Sequence, residues 1–582
     1  MSDGGAPESF TQAEPELGNT FASDLLLQSV LQRKLPDPVY RRVCDEFLAL
    51  GERMAGDVLA MSEEVDRNPP SHVPFAPNGK RIDHIQVSPA WNALDRVSAE
   101  EGMIATAYER AFDDLSRPLQ WAKLYLFHPS SSYYTCPLAM TDGAAKLIER
   151  FGDSQMFDEV FAHLTSRNPD EFWTSGQWMT EKRGGSDVAG SETIARMQHG
   201  EWRLYGDKWF TSATTAQIAM TLARVEDETG RVVPGSRGLS LFFVRLRDDS
   251  GRLQNIEILR LKDKLGTRSM PTAELRLAGT PATMLGAQGQ GVKSIATLFN
   301  VTRIDNAAAA VGTARRMLDL ALDYATKRKA FGKSLSEHPL HVETLADLET
   351  EFHGAFHLGM YVSTLLGREE CFAAWQERAA ASEGYAGIID QADNAALLRF
   401  FTPLAKLYTA KQNLRICSEV VESFGGYGYV EDSGLPKHLR DAQVLAIWEG
   451  TTNILSLDLL RAIARESAFP VFVEDTRARL ETVTQQDLAS ARDAALQALE
   501  RCRSFLDAAL NAGGDTLEIA ARQFAYRCAR VAIAALLLEH AQITGNSRLS
   551  LVARRWCESR LGGLELPSPG RAQESAQIAF SA

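Results

Sequence analysis

A single glutamate, Glu449, stands between bulky apolar residues and small residues near the end of a long helical region. Ile447 and Trp448 precede it, and Gly450 and Thr451 follow it. A carboxylate in apolar surroundings has a raised pKa, which suits a general base that works near neutral pH. A lone glutamate at a helical turn is more often a cap or an ion-pair partner. The segment therefore indicates a base only in combination with other segments.

A loop rich in glycine and hydroxyl residues lies much earlier, from Trp178 to Asp187. Thr180 and Ser186 flank the pair Gly184-Gly185. Glycines let the backbone approach a flat or phosphorylated ligand closely, and the hydroxyls can hydrogen-bond it. A polar turn that enters a β-domain explains the same residues equally well.

A second segment, Gly206–Ser212, places the aromatic residues Trp209 and Phe210 directly before Thr211 and Ser212. Aromatic rings followed by hydroxyls suit a ligand that is stacked on its face and hydrogen-bonded at its edge. Taken alone, a β-strand with aromatic core residues is the favoured interpretation.

A cation falls in the apolar stripe of the helix predicted to start near Val292. Ile295, Phe299, Arg303 and Ala307 are spaced four apart and share one helix face. Arg303 must therefore find an anionic partner or ligand, or else pack its stem and extend its head to water. The sequence leaves both open.

Two further segments combine cations or glycines with aromatic rings. Lys327–Lys333 sets Arg328 beside Phe331, and Phe424–Tyr429 holds the pair Gly425-Gly426. Cations at a helix end can simply offset the helix dipole. They could also hold a pyrophosphate, with Phe331 packed against a base.

The length, net charge, apolar runs and cysteine content of the chain limit the classes of protein to which it can belong. The chain has 582 residues, 24% of them charged, and a net charge of −13. That length predicts about three or four domains, and the charge argues against a generally basic, nucleic-acid-coating chain. No apolar run approaches the ~20 residues of a membrane helix. Seven scattered cysteines do not predict a disulfide scaffold.

Helical patterns flank a region of short apolar runs bounded by glycine and proline, which predicts an α+β protein. We expect a disordered lead-in, a helical N-terminal domain, a middle β-domain, a helical bundle and a helical extension. Their boundaries are predicted at 1–20, 21–172, 173–290, 291–463 and 464–582. The first residues lack the pattern of a secretory signal, and their acidic residues disfavour a mitochondrial transit peptide. The last three residues do not match a Ser-Lys-Leu peroxisomal signal. Cytosol is the default, with mitochondria and peroxisomes left open.

Taken together and in this order, the segments resemble the acyl-CoA dehydrogenase superfamily over roughly residues 70–465. The finer details are similar to its AidB-like branch. These details are Lys182-Arg183-Gly184-Gly185, where most relatives have Pro-Gly, the run Arg260–Gly266 and the segment Glu431–Pro436.

The resemblance implies an N-terminal helical domain, a middle antiparallel β-barrel domain and a C-terminal helical bundle, here with a helical extension. It implies FAD as the cofactor and no metal. It assigns catalysis to Glu449, and we expect Arg303 to contact substrate. The cofactor-binding positions it implies are Met179, Thr180, Gly185, Ser186, Trp209, Thr211, Ser212, Arg328, Phe331, Gly425, Gly426, Ile447, Trp448, Gly450 and Thr451.

The implied reaction is the oxidation of an acyl-CoA. Glu449 would remove the α-proton while a hydride leaves the β-carbon for the flavin, and a main-chain N–H at the glutamate would bind the thioester oxygen. A separate electron acceptor would reoxidise the flavin. Arg328, Phe331 and the Gly425-Gly426 turn would meet cofactor bound by a neighbouring subunit, which implies a homo-oligomer, expected to be a tetramer.

Three alternatives compete with this interpretation. An AidB-type protein could bind DNA, although residues 453–582 hold 15 basic and 15 acidic residues and so give little hint of a positive face. The protein could sequester fatty acyl chains with little turnover. It could also oxidise another small substrate, although Glu449 favours dehydrogenation.

Overall fold

The computed structural model describes residues 11–380, 390–562 and 570–580. Its N-terminal part is helical, with one β-hairpin between the third and fourth helices. The elements are α1 (Leu25–Lys34), α2 (Asp37–Ala55), α3 (Asp57–Arg67), β1 (Ser71–Phe75), β2 (Arg81–Gln86), α4 (Pro89–Glu100), α5 (Ala105–Glu109), α6 (Ser116–Phe127), α7 (Thr135–Phe151) and α8 (Gln155–Leu164). The hairpin was not predicted from the sequence, because its residues lie in a polar, proline-rich stretch.

A β-domain follows. Its strands are β3 (Ser175–Trp178), β4 (Ile194–Gln198), β5 (Glu201–Ser212), β6 (Ile218–Val225), β7 (Leu239–Arg245), β8 (Ile256–Leu261) and β9 (Thr272–Met284). They form one seven-stranded sheet in the order β3-β6-β4-β5-β9-β7, with β8 beside β9.

The expected antiparallel barrel is confirmed only as a β-domain. The barrel is not closed. The pairings β4–β6 and β7–β9 join only two residue pairs each, so no continuous ladder runs round the sheet. The pairings β3–β6 and β4–β6 are parallel, so the sheet is mixed.

The C-terminal bundle is built on three helices of more than 30 residues. Its elements are α9 (Gly291–Lys327), β10 (Lys329–Ala330), β11 (Lys333–Ser334), α10 (Pro339–Glu370), α11 (Phe372–Ala380), α12 (Gln391–Ser423), α13 (Leu435–Leu445) and α14 (Thr452–Glu466). The extension adds α15 (Ala468–Glu481), α16 (Ala489–Ala512), α17 (Gly514–Thr544), α18 (Ser547–Trp556) and α19 (Arg571–Phe580).

The central helix α9 joins the β-domain to the bundle. Gly289 turns the chain into it with φ at +75°, and a Cβ there would meet the carbonyl oxygen of Arg237 at 2.8 Å. Only glycine fits such a position. The middle of α9 is the buried alanine run 307–310, whose small side chains let α6, α7, α10 and α12 pack closely around it.

Residues 11–20, assigned from sequence to a disordered lead-in, lie against the C-terminal end of α9. The main-chain N–H of Glu16 donates to Asp323 at 2.8 Å, and Arg328 donates to the Gln12 side chain at 3.0 Å. The first ten residues of that predicted lead-in lie outside the described residues. Within the described part of the chain, no helix has the length and hydrophobicity needed to cross a bilayer.

Candidate active site

Glu449 lies in the short connection between α13 and α14, where the bundle meets the β-domain. Its φ is +56°, and that of Gly450 is +108°. A left-handed conformation at a non-glycine residue costs about 1–3 kcal/mol and persists only where its surroundings impose it. The backbone at Glu449 is therefore held by its neighbours.

Both oxygens of the Glu449 carboxylate accept hydrogen bonds. Thr302, on α9, donates its hydroxyl to Oε2 at 2.8 Å, and Gln177, on β3, donates its amide to Oε1 at 3.2 Å. Burial raises the pKa of Glu449 above its ordinary value, and the Thr302 hydrogen bond opposes part of that rise. The carboxylate is thus fixed between two domains with its proton affinity increased, as a general base requires.

Two cations hold the two consecutive carbonyls of this connection. Arg303 donates from Nε to the carbonyl oxygen of Glu449 at 3.1 Å, and Lys406 donates from Nζ to that of Gly450 at 2.6 Å. Arg303 also pairs with Asp458 at 2.8 Å. The cation in the apolar stripe of α9 therefore finds a carboxylate within the protein. Whether Arg303 contacts substrate stays a prediction.

The main-chain N–H of Glu449 makes no hydrogen bond to any residue that the structure describes. It is therefore available to an external acceptor such as a thioester oxygen.

An apolar wall lies beside the base. Trp448 and Tyr133 have ring centroids 6.2 Å apart and pack with the alanines of α9 and α12. The indole N–H of Trp448, the hydroxyl of Tyr133 and the amide oxygen of Gln177 are buried without a partner among the described residues. Buried polar atoms seldom stay unpaired, so these atoms indicate a ligand position beside Glu449.

The two ligand-binding segments predicted from sequence meet in the β-domain. The main-chain N–H of Trp209 donates to the carbonyl oxygen of Thr180 at 2.9 Å. The ammonium of Lys262 lies 3.4 Å from the centroid of the Trp209 ring, and that of Lys182 lies 5.0 Å from it. The Trp209 ring therefore has cations beside it.

The remaining predicted residues of these segments differ in exposure. Met179 is buried in the core, whereas Gly185 and Ser186 are exposed on the loop. The Thr211 hydroxyl donates to the Ala273 carbonyl oxygen at 2.7 Å. The Ser212 hydroxyl lies 3.1 Å from that of Thr272. Both hydroxyls already have partners within the sheet.

A buried ion pair anchors the glycine-containing loop 178–187 to the β-sheet. Lys208 Nζ lies 2.7 Å from Glu181 Oε1, with both side chains almost fully buried. Glu181 also accepts from the hydroxyl of Thr193 and from the main-chain N–H of Glu192. These bonds fix the residue that directly follows Thr180.

Arg328, Phe331, Gly425 and Gly426 lie at the far end of the bundle. Tyr324 stacks on Phe424 with ring centroids 4.2 Å apart, which brings the ends of α9 and α12 together. Along α9, Tyr324 is about 33 Å from Thr302, the partner of Glu449. This group and the base of the same chain are therefore too far apart to share one site.

The exposed Phe331 ring and the open Gly425-Gly426 turn at the far end of the bundle suit a contact with another molecule. Phe331 is 97% exposed and has φ at +49°. A Cβ placed on Gly425 or Gly426 would meet nothing within 4 Å.

Three residues of the site were not predicted from the sequence: Gln177, Thr302 and Lys406. Lys406 carried a signal, because it is a lone cation in the apolar stretch 400–408. Burial lowers its pKa to about 7. No local sequence pattern marked Gln177 or Thr302, because each reaches Glu449 only through the packing of the β-domain against the helical bundle.

Four family models match this sequence, and together they cover most of the chain. The matching family models are the adaptive response protein AidB N-terminal domain (12–171), the acyl-CoA dehydrogenase middle domain (176–280), the acyl-CoA dehydrogenase C-terminal domain (289–464) and the acyl-CoA dehydrogenase 11 C-terminal domain-like model (467–576).

Individual proteins give the same result. Acyl-CoA dehydrogenase family member 11 of Caenorhabditis elegans is 41% identical over 569 residues, which is 95% of this chain and 89% of the relative. The AidB protein of Escherichia coli is 30% identical over 72% of this chain and 74% of its own length. The crystal structure of C. elegans ACDH-11 in complex with C11-CoA superposes with a TM-score of 0.89, at 39% identity over 98% of this chain and 97% of that one.

The helical, β and helical domains together form the acyl-CoA dehydrogenase fold. The chain belongs to the acyl-CoA dehydrogenase family, in the branch that includes AidB and ACDH-11. Members of this family are FAD-dependent dehydrogenases. The unpaired polar atoms beside Glu449 and the exposed glycine loop at Gly185 fit a flavin.

Proposed function

We propose that this protein oxidises the Cα–Cβ bond of an acyl-CoA, with Glu449 as the base that removes the α-proton. The observation that carries the proposal is the Glu449 carboxylate, held by Thr302 and Gln177 in surroundings that raise its pKa. Bound FAD would supply the acceptor for the β-hydride. The trans-2-enoyl thioester is the expected product, and a separate protein or small molecule would take up the electrons.

The chain's own groups supply the remaining parts of the reaction. The main-chain N–H of Glu449 can donate to the thioester oxygen, where negative charge grows as the α-proton leaves. Arg303 and Lys406 hold the peptide that carries this donor. Trp448, Tyr133 and the neighbouring alanines exclude water and offer an apolar surface to an acyl tail.

The acyl-CoA ligand is supported by the C. elegans relative, whose crystal structure is a complex with C11-CoA. We propose that Met179, Thr180, Gly185, Ser186, Trp209, Thr211 and Ser212 bind the flavin of the same chain, together with the residues around Glu449. Arg328, Phe331, Gly425 and Gly426 would bind cofactor held by a neighbouring subunit, because they lie far from the base of their own chain. We therefore propose a homo-oligomer, expected to be a tetramer.

Anaerobic bleaching of the protein-bound flavin by a panel of acyl-CoAs tests the function. We expect at least one acyl-CoA to reduce the flavin. The Glu449→Gln variant should keep its flavin and lose about 10²–10⁴-fold in rate. Near-normal rates in that variant would refute the role of Glu449.

Two other results would favour a different function. Acyl-CoA binding with the yellow colour unchanged would favour sequestration. Failure of every thioester to reduce the flavin, with tight binding of duplex DNA at physiological salt, would favour the nucleic-acid function.

A further inference from the structure

Asp458 and Arg399 are two charged residues that stand in apolar stretches of their helices. Asp458 lies on α14 within the stretch 454–460, and Arg399 lies on α12 within the stretch 395–401. Their side chains are 14% and 22% exposed. A charge so placed is costly unless it is paired and hydrogen-bonded, so each residue needs a partner across a helix interface.

The partner that they share is the arginine that holds the base. Asp458 Oδ2 accepts from Arg303 Nη1 at 2.8 Å. Arg399 donates twice to the same carboxylate, from Nη2 to Oδ1 at 2.7 Å and from Nη1 to Oδ2 at 3.3 Å. Glu466 in turn accepts from Arg399 Nε at 3.1 Å. Asp458 therefore lies between two guanidinium groups, one from α9 and one from α12.

Asp458 fixes the direction in which the Arg303 guanidinium faces. While Nη1 of Arg303 is bound to Asp458, its Nε donates to the carbonyl oxygen of Glu449 at 3.1 Å. Among the described residues, Asp458 is the one carboxylate that pairs with Arg303. It lies nine residues after Glu449, in the second turn of α14. The helix that follows the base is thus tied to α9 and α12 by one carboxylate.

The same residues affect the charge that Glu449 faces. The groups that face its carboxylate come from four elements, and they are Thr302 and Arg303 on α9, Lys406 on α12, Gln177 on β3 and Cys136 on α7. Arg303 carries a permanent positive charge, whereas burial lowers the pKa of Lys406 to about 7. A positive charge favours the ionised carboxylate and so lowers its pKa. The charge that offsets Arg303 therefore bears on the strength of the base.

The surroundings of Asp458 keep it ionised. Burial by itself would raise the pKa of Asp458, but Arg303 and Arg399 outweigh burial and lower it. From the extension, Arg522 on α17 faces the start of the same helix, where it donates to Asn453 at 3.5 Å. Asp458 is therefore a permanent negative charge between two positive ones.

We propose that Asp458 and Arg399 are positioning residues for the base Glu449. Asp458 acts through Arg303, and Arg399 holds Asp458 in place. Together they fix the carbonyl of Glu449 and balance the charge that its carboxylate faces. This proposal rests on the proposed function for the role of Glu449 as the base, and it extends that function to two residues on α12 and α14.

The test compares Asp458→Asn, Arg399→Gln and the double variant in the full-length, flavin-loaded enzyme. The first measurement is the profile of kcat/KM against pH, with an acyl-CoA that bleaches the wild-type flavin. The second is an infrared difference spectrum between each protein and its Glu449→Gln counterpart. The band of the protonated carboxyl then gives the titration of Glu449 without any substrate.

The two single variants should shift the titration in opposite directions. Asp458→Asn leaves Arg303 and Arg399 without their shared anion, so the acid limb should move to lower pH by about one unit. Arg399→Gln leaves Asp458 in excess, so the limb should move to higher pH. The infrared titration should follow both shifts.

The double variant separates charge from position. It loses one charge of each sign, so its acid limb should return close to that of the wild type. Its plateau of kcat/KM should stay about tenfold or more below the wild-type plateau, because Arg303 has lost the carboxylate that directs it.

The matched control is Asp475→Asn on α15. The buried Asp475 pairs with Arg479 at 3.1 Å, so this substitution also deprives an arginine of its carboxylate. It should lower the melting temperature and leave the acid limb in place. A limb that stays fixed in both single variants, or that moves in the same direction in both, would overturn the proposal. If Asp458→Asn does not fold, the upward shift in Arg399→Gln decides.

Failure of the proposed function would give a different result. If no acyl-CoA reduces the wild-type flavin, the proposed function fails and the infrared titration alone decides the positioning role. If the wild type is active and all three variants titrate as it does, only the positioning role fails.

Discussion

Lys406 donates a hydrogen bond of 2.6 Å to the carbonyl oxygen of Gly450, the residue directly after the base. With 1% of its surface exposed, Lys406 is a buried amine beneath the left-handed turn that carries Glu449. Arg303 holds the preceding carbonyl of the same turn. The left-handed turn at the base is therefore held by hydrogen bonds from two side chains on two different helices, α9 and α12.

Stability should depend on pH through Lys406. Burial lowers its pKa to about 7 from an ordinary value of 10.5, so between these pH values the unfolded chain binds more protons than the folded one. Wild-type stability should therefore rise with pH from about 7 to about 10, relative to Lys406→Met, and the difference should be flat below pH 7. Calorimetric melting temperatures of the two proteins across this range measure the effect.

Lys411→Met, in the same helix, is the control for this comparison and should show no such slope. Parallel pH curves for wild type and Lys406→Met would contradict the prediction.

Thr302→Val should move the acid limb of the pH–rate profile to higher pH. The Thr302 hydroxyl donates to the ionised form of Glu449, so its loss adds to the rise in pKa that burial causes. Glu449 must be ionised to remove a proton, and the variant should lose more kcat/KM at pH 6 than at pH 8. The profile of kcat/KM against pH checks this, with Thr302→Ser expected to keep the wild-type limb. A purely structural defect would lower the whole profile without moving the limb.

Removal of one partner of the Lys208–Glu181 pair should destabilise the β-domain. In Lys208→Met, Glu181 stays buried without its cation, at a cost of about 3–5 kcal/mol. The double variant Lys208→Met with Glu181→Gln should regain most of this, because Gln can still accept from Thr193 and no charge is left unpaired. Thermal unfolding of the two variants gives the comparison, and a double variant as unstable as the single one would refute the explanation.

Phe331→Ala should weaken association between subunits and the retention of FAD. The Phe331 ring is 97% exposed in the isolated chain, at the end of the bundle proposed to meet a neighbouring subunit. Its burial there should contribute about 2 kcal/mol, by the ordinary value for a buried phenylalanine. Sedimentation measures the oligomer, and flavin absorbance measures the cofactor. Ile543→Ala, at an exposed position near the end of α17, is the control and should leave the oligomer and the flavin content unchanged.

The order of the N-terminal helical domain, the β-domain and the helical bundle could be predicted, because helices and strands repeat their apolar residues with different periods along the chain. The four-residue spacing of α9 and the short apolar runs of β6 and β7 are local properties of the chain. The hairpin of β1 and β2 was missed, because its strands are short and lie in a polar, proline-rich stretch of the sequence. The middle domain was predicted as an antiparallel β-barrel, whereas the observed sheet is mixed and not closed into a barrel. Its closure and strand direction depend on pairings between distant segments, which no local pattern encodes.

By itself, the sequence determined which residue could be the base, because the Ile447-Trp448 pair and the small residues around Glu449 stand together in the chain. It also determined which segments could approach a flat cofactor. Only the tertiary structure decided how that base is held: Thr302 and Gln177 are 147 and 272 residues away from it along the chain. It likewise decided that Arg303 pairs with Asp458 and that Arg522 of α17 lies beside Asn453 at the start of α14. Hydrogen bonds and charges act over a few ångströms of space, and the packing of helices against the sheet sets those distances.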